Sequence, residues 1–230
     1  MTGYDDGTTE RWAAVKARVA AAATRAGRDP AGIRIVAATK TVPVDRIRPL
    51  LAAGCRDLGE NRAQELAAKA PQLLDAPGGP PTWHFIGHLQ RNKIRSLAEW
   101  VSVWHTVDRP SPIPGIAEHA PGATVLIEVN LAREPQKSGC DPDEVESLVG
   151  LADRAGLRVA GLMTVPPRGA DPRPWFADLA ARARALGLSE LSMGMSGDFE
   201  TAIAMGATHV RVGSALFGAR PRGGSDPMPA

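Results

Sequence analysis

Eight short runs rich in β-branched residues alternate with longer alanine- and leucine-rich segments over about 180 of the 230 residues. Strand-helix alternation of this kind predicts an α/β protein of parallel βαβ units, and eight of them predict a single (β/α)8 barrel of the TIM type. Length agrees, because 230 residues suit one large domain better than two. The competing doubly wound sheet finds no support, since no GxGxxG opens the first βα unit.

The elements follow in order. Residues 10–26 place Trp12, Val15 and Val19 at helical spacing, which predicts an extra amphipathic helix ahead of the barrel, ended by Gly27 and Pro30. Strands are predicted at 33–39, 55–58, 83–86, 101–107, 124–129, 159–165, 191–195 and 210–212. Helices are predicted near 45–53, 62–74, 92–98, 143–155, 174–186 and 198–205. The connection 109–122 carries Pro110, Pro112, Pro114 and Pro121 and has room only for a short helix. Residues 1–9 and the Gly- and Pro-rich 220–230 are expected to be flexible tails, leaving 10–219 as the barrel.

Composition excludes several classes. With 43% hydrophobic and 23% charged residues the chain buries a substantial core. Twenty-seven basic against 25 acidic residues give a net charge of +2, which supports neither a nucleic-acid partner nor a membrane surface. Cys55 and Cys140 are too few for a disulfide framework or a four-thiolate metal site, so a reduced cytoplasmic compartment is expected. The acidic N-terminus lacks the layout of a secretory signal, and no apolar stretch approaches the roughly 18 residues of a membrane span.

Barrels gather function at the C-terminal strand ends. There the sequence offers Lys40, Glu60, Asn61, His84, His88, Asn130, Thr164, Ser196, Arg211, Gly213 and Ser214. Strand alternation groups Val36, Ala38 and Lys40 on one face. If that face points inward, Lys40 is an amine at the barrel mouth, desolvated toward the neutral form that attacks a carbonyl. Alone, it fits a solvated lysine closing a strand better. The Ser-Gly-Asp turn from Ser196, with the helix start after it, suits a phosphate, and Gly213 and Ser214 add a second such loop. Simpler roles as an N-cap and as turns fit the same residues. Arg211, sharing a face with Gly213, needs either an anion in the mouth or a structural carboxylate such as Glu128 or Glu60. No metal site is expected, because His84 and His88 lack a nearby carboxylate set.

The segments AATK at Lys40, GEN at Gly59–Asn61, WHFIGHLQRNK from Trp83, GLMTVP from Gly161 and SMGMSGDFETAIAMGATHVRVGSALFGAR from Ser192 resemble the pyridoxal 5′-phosphate (PLP) homeostasis protein family. These are small PLP-binding proteins similar to the N-terminal barrel of alanine racemases. The resemblance runs from about residue 12 to 220. It implies a barrel of the alanine racemase N-terminal type that holds PLP as a Schiff base on Lys40. Ser196, Gly213 and Ser214 would hold the phosphate, Arg211 would face the pyridine nitrogen, and Asn61 and His84 would lie near the cofactor. The implied role is to buffer or deliver PLP without established turnover, as a monomer in transient contact with PLP-dependent apoenzymes. The sequence departs from the family at Arg62, where tyrosine is common, and in the loop 131–136. Lys137, beyond that loop, is either an ordinary loop lysine or a transient acceptor of the aldehyde. Two enzyme readings stand beside the carrier. A weak PLP-dependent racemase needs a second base, supplied in the racemases by a tyrosine of an additional β-domain, and the only tyrosine here is Tyr4. A phosphosugar-type barrel using Lys40 without a cofactor shares the lysine and the phosphate loops.

Overall fold

The computed structural model describes residues 7–218. Eight parallel strands close into a barrel in sequence order: β1 (Arg34–Ala38), β2 (Asp57–Glu60), β3 (Thr82–Phe85), β4 (Val101–Val107), β5 (Thr124–Glu128), β6 (Arg158–Met163), β7 (Glu190–Met195) and β8 (His209–Val212). Register closes the ring, with Ile35 opposite Val210 and Ala37 opposite Val212. Seven helices follow strands β1 to β7: α2 (Val44–Ala52), α3 (Ala63–Lys69), α4 (Ile94–Ala98), α5 (Ile113–His119), α6 (Val145–Arg154), α7 (Arg173–Ala185) and α8 (Phe199–Ala204). The helix after β8, α9 (Ser214–Phe217), is a single turn ended by Gly218 at φ 85°.

The predicted extra helix is α1 (Thr8–Arg25), which starts two residues ahead of the sequence-predicted residue 10. Trp12, Val15, Val19, Ala22 and Ala23 make its buried stripe. It packs on α2, α8 and α9, and so covers the flank that the one-turn α9 leaves open. Arg11 Nε donates to Leu216 O at 2.6 Å and Trp12 Nε1 to Ala53 O at 3.0 Å, which fix it there. The tail 220–230 lies outside the described residues, as do residues 1–6.

Two boundaries moved for physical reasons. The strand predicted at 55–58 forms at Asp57–Glu60, because Cys55 closes the turn after α2, its amide bonding Leu50 O at 3.1 Å. The helix predicted at 62–74 is α-helical only to Lys69; Pro71 tightens the next turn into the 3-10 segment Ala70–Leu73.

Strand alternation sorts the core into two parts. Residues on the outer faces join the helices in one continuous apolar layer. The inner faces carry Val36, Ala38, Gly59, His84, Ile86, His105, Ser192, His209 and Arg211, besides a small apolar cluster of Leu126, Ala160 and Met163.

Candidate functional site

The inward face of β1 is the one holding Val36, Ala38 and Lys40. Ala38 and Lys40 open into a cavity of about 570 Å³ at the C-terminal mouth. Six sequence-predicted residues meet there: Lys40, Asn61, Ser196, Arg211, Gly213 and Ser214.

Lys40 is positioned by a buried ionic network on the outer side of β1 and β2. Lys69 Nζ donates to Thr39 O at 2.8 Å, Glu60 Oε1 at 2.6 Å and Glu65 Oε2 at 2.9 Å. Thr39 Oγ1 adds a bond to Glu60 Oε1 at 2.9 Å. Burial pushes the Glu60 carboxyl up against the pull of Lys69. Burial also opposes ionisation of Glu65, but the Lys69 bond, the Thr41 amide and Arg62 outweigh it and hold its carboxyl down. Glu65 Oε2 accepts the Thr41 amide at 2.7 Å, and Thr41 sits at φ 63°, where β-branched residues are strained. A cost of about 1–3 kcal/mol is borne at the residue that follows the mouth lysine. Glu60 thus lies outside the mouth and supports it from behind.

Arg211 lies in the barrel interior, 6% exposed. Both of its anchors are neutral: Nη1 donates to Ser192 Oγ at 2.6 Å and Nη2 to Thr164 O at 2.9 Å. Of the carboxylates considered from sequence, neither Glu128 nor Glu60 hydrogen-bonds it, and Glu128 acts on it through its charge alone. Burial lowers Arg211 to about 10, with Glu128 and Asp198 pulling the other way, so it is a cation at neutral pH. Glu128 is raised to about 7 by burial and by Asp108, against Arg211 and Arg109.

Ser196 does not cap α8; the N-cap is Asp198, whose carboxylate accepts the Met195 amide at 2.6 Å. Ser196 Oγ instead accepts the Gly213 and Ala215 amides, both at 3.2 Å, and ties the β7 loop to the β8 loop. Gly213 is required by neither backbone nor packing: its φ is −120°, and a Cβ would meet Ala38 at an ordinary 3.5 Å. What the missing side chain leaves clear is the cavity floor. Gly87 differs, for a Cβ there would fall 2.1 Å from Asn61 O, so only glycine lets the β3 loop pack against Asn61. Asn61 Oδ1 is buried with no hydrogen-bond partner.

His84 corrects its sequence reading. It is fully buried and absent from the cavity lining, and its ring nitrogens meet Asp57 and His105 below the mouth. His88 is exposed, and Asn130 ties down the 131–136 loop through Glu134. Lys137 does not line the cavity; it donates to Pro166 O at 3.1 Å and pairs with Glu134 at 2.6 Å. Sequence reasoning missed Arg46 on α2 and Arg168 after β6, which both line the mouth. Arginines at helix starts and in loops carry no distinguishing pattern. Among the described residues no group of three or more His, Cys, Asp or Glu is arranged to hold a metal.

The lining therefore contains four cations, Lys40, Arg46, Arg168 and Arg211, and among the described residues no carboxylate. With the Ser196 and Ser214 hydroxyls and glycines beside them, this mouth fits an anionic ligand. Such a site defines the class: a (β/α)8 barrel with an amine and a guanidinium at its mouth.

The family described as alanine racemase, N-terminal domain, matches residues 11–221. The pyridoxal phosphate homeostasis protein of Pseudomonas aeruginosa is 42% identical over 93% of this chain and 96% of its own length. That of Deinococcus radiodurans is 44% identical over 89% and 98%. The chain belongs to the pyridoxal phosphate homeostasis proteins, within the alanine racemase N-terminal domain family. Among solved structures, PipY of Synechococcus elongatus with PLP bound has a TM-score of 0.79 and 32% identity, covering 92% of this chain and 100% of its own. Relatives are named for homeostasis rather than for an enzymatic activity. No helix among the described residues is long and apolar enough to cross a membrane.

Proposed function

We propose that this chain binds PLP in the barrel mouth, held covalently through Lys40 Nζ, and buffers or delivers it in vitamin B6 homeostasis without turnover. The observation that carries the reading is the mouth's charge: four cations and no described carboxylate around a 570 Å³ cavity. When bound, the cofactor supplies an aldehyde carbon and an electron-accepting pyridine ring. Ser196 and Ser214 would hold the phosphate beside Gly213, whose amide already donates to Ser196 Oγ, and Asn61 would lie near the ring. Arg211, a cation in the mouth, would face the pyridine nitrogen and oppose its protonation, which would weaken the ring as an electron sink.

A carrier fits better than a racemase because the ionisable side chains of the described lining are Lys40 and three arginines. None of those arginines serves as a second base at neutral pH. The PLP-bound relative and the names of the curated relatives support the same reading. It extends to a cytoplasmic monomer that meets apoenzymes transiently, in keeping with the buried, unpaired thiols of Cys55 and Cys140.

Titration with PLP, followed by visible absorbance, tests it. The wild-type chain is expected to gain the absorbance, and Lys40→Ala to lose covalent binding while keeping the fold. Imine absorbance retained by Lys40→Ala contradicts the assignment and makes Lys137 the next residue to replace. Racemase turnover within the ordinary enzymatic range of about 1–10³ s⁻¹ would replace the carrier reading.

A further inference from the structure

Three histidines, His84, His105 and His209, lie buried inside the barrel beneath the mouth, with ring centroids 5.0–6.0 Å apart. Two of them stand in an unbroken line of hydrogen bonds. Arg211 Nη1 donates to Ser192 Oγ at 2.6 Å, and Ser192 Oγ lies 2.8 Å from His105 Nδ1. His105 Nε2 is 2.8 Å from His84 Nδ1, and His84 Nε2 is 3.0 Å from Asp57 Oδ1. Asp57 begins β2 and sits at the opposite end of the barrel, 3.6 Å from Arg34.

Counting donors fixes the order of protons. An ionised carboxylate only accepts, so His84 Nε2 carries a proton. With a single proton on the ring, His84 Nδ1 would accept from His105 Nε2. His105 Nδ1 then accepts the Ser192 hydroxyl proton, which leaves the Ser192 lone pairs for Arg211. Burial, with His84, His209 and Arg211 nearby, holds His105 well below the usual imidazole range and keeps it neutral. Asp57 is held down by the His84 bond and by His84, Arg34 and His209, despite burial working the other way. A second proton on His84 reverses the run. His84 Nδ1 would donate to His105, His105 would donate to Ser192, and the Ser192 hydroxyl proton would lose its acceptor while its oxygen faced two donors.

We propose that Ser192, His105, His84 and Asp57 form a directional relay that positions Arg211 in the mouth and ties the cofactor site to proton occupancy at the far end of the barrel. The proposal rests on PLP occupying the mouth with its ring nitrogen at Arg211. The other charged or titratable groups facing the relay are Arg34 and His209 at its foot, Glu190 behind His209 at 3.8 Å, and Glu128 and Asp198 around Arg211. These are positioning residues, since none of the four lines the cavity.

The test uses PLP-loaded protein, with the visible absorbance of the bound cofactor titrated from about pH 5 to about pH 8. Ser192→Ala, His105→Phe and Asp57→Asn are each expected to displace the titration midpoint, in that order of size. Ser192→Ala also strips the guanidinium of a charged hydrogen bond and weakens PLP retention about tenfold. His105→Gln keeps one donor and one acceptor and is expected to return the midpoint toward wild type. Asp57→Asn alters no buried volume, so it decides the matter if His105→Phe does not fold. Wild-type midpoints in Asp57→Asn and in folded His105→Phe, with only the unfolding temperature lowered, would overturn the relay and leave the line as packing. A wild-type chain that takes up no PLP sinks the cofactor reading, and the relay with it, before any variant is compared.

Discussion

The layer between strands and helices and the space inside the strands are built from the same eight segments to opposite rules. In the outer layer Phe85, Trp104, Phe176, Phe199 and Ile47 are fully buried in one continuous apolar cluster. Inside, the apolar part shrinks to the cluster of Leu126, Ala160 and Met163 with Val103 and to Val36, Ala38 and Ile86, and between them stand histidines, Ser192, Arg211, Asp57 and Glu128. The outer layer supplies the bulk of the buried area and hence of the stability. The inner face forgoes apolar packing to hold polar groups in fixed order. Stability and ligand chemistry thus sit on alternate residues of each strand.

That separation makes predictions, taken from the largest effect down. Phe176→Ala in the outer layer is expected to cost about 3–5 kcal/mol of stability, read by denaturant unfolding, with the spectrum of bound PLP unchanged. A changed spectrum would break the comparison by showing that the outer layer shapes the site. Glu128 tests the interior from the opposite side. Its carboxyl is raised from 4.5 to about 7, so the folded state binds its proton more tightly than the unfolded state does. The penalty is absent below the unfolded value and grows as pH rises to the folded one, reaching an upper bound of about 3 kcal/mol. Glu128→Gln in the PLP-free chain is therefore expected to be more stable than wild type at alkaline pH and to lose that advantage toward pH 4.5. Parallel pH-stability curves for the two proteins would contradict it. Ser196→Ala is the smallest change and sharpens the picture of the mouth. It is expected to weaken PLP retention by about 1–3 kcal/mol, and also to lower the unfolding midpoint of the PLP-free chain because the Gly213 and Ala215 amides lose their acceptor. Unchanged retention would move the phosphate elsewhere.

The same separation explains what the sequence made legible. Every strand was readable to within a few residues because the outer faces repeat apolar side chains against amphipathic helices. Lys40, Asn61, Ser196, Arg211, Gly213 and Ser214 were readable because they end strands, and a barrel puts those ends at one mouth. His84 was misplaced because alternation tells which side of the sheet a residue faces but not its depth. Depth is set by strand stagger around the barrel, which puts Ile86 in the mouth and His84 two residues below it. The relay was invisible for a related reason: His84 and His105 are 21 positions apart and His105 and Ser192 are 87, so only the closed barrel brings them together. The Lys69–Glu60–Glu65 cluster behind Lys40 was hidden likewise, since only the closed fold brings Lys69 to Thr39.

The central claim is that the mouth of this barrel holds PLP through Lys40. Incubation with PLP, reduction with borohydride and mass mapping of the peptides tests it most directly. A pyridoxyl group on the peptide containing Lys40 is the predicted result. A protein that stays colourless and unmodified, or carries the group on another lysine, would contradict it.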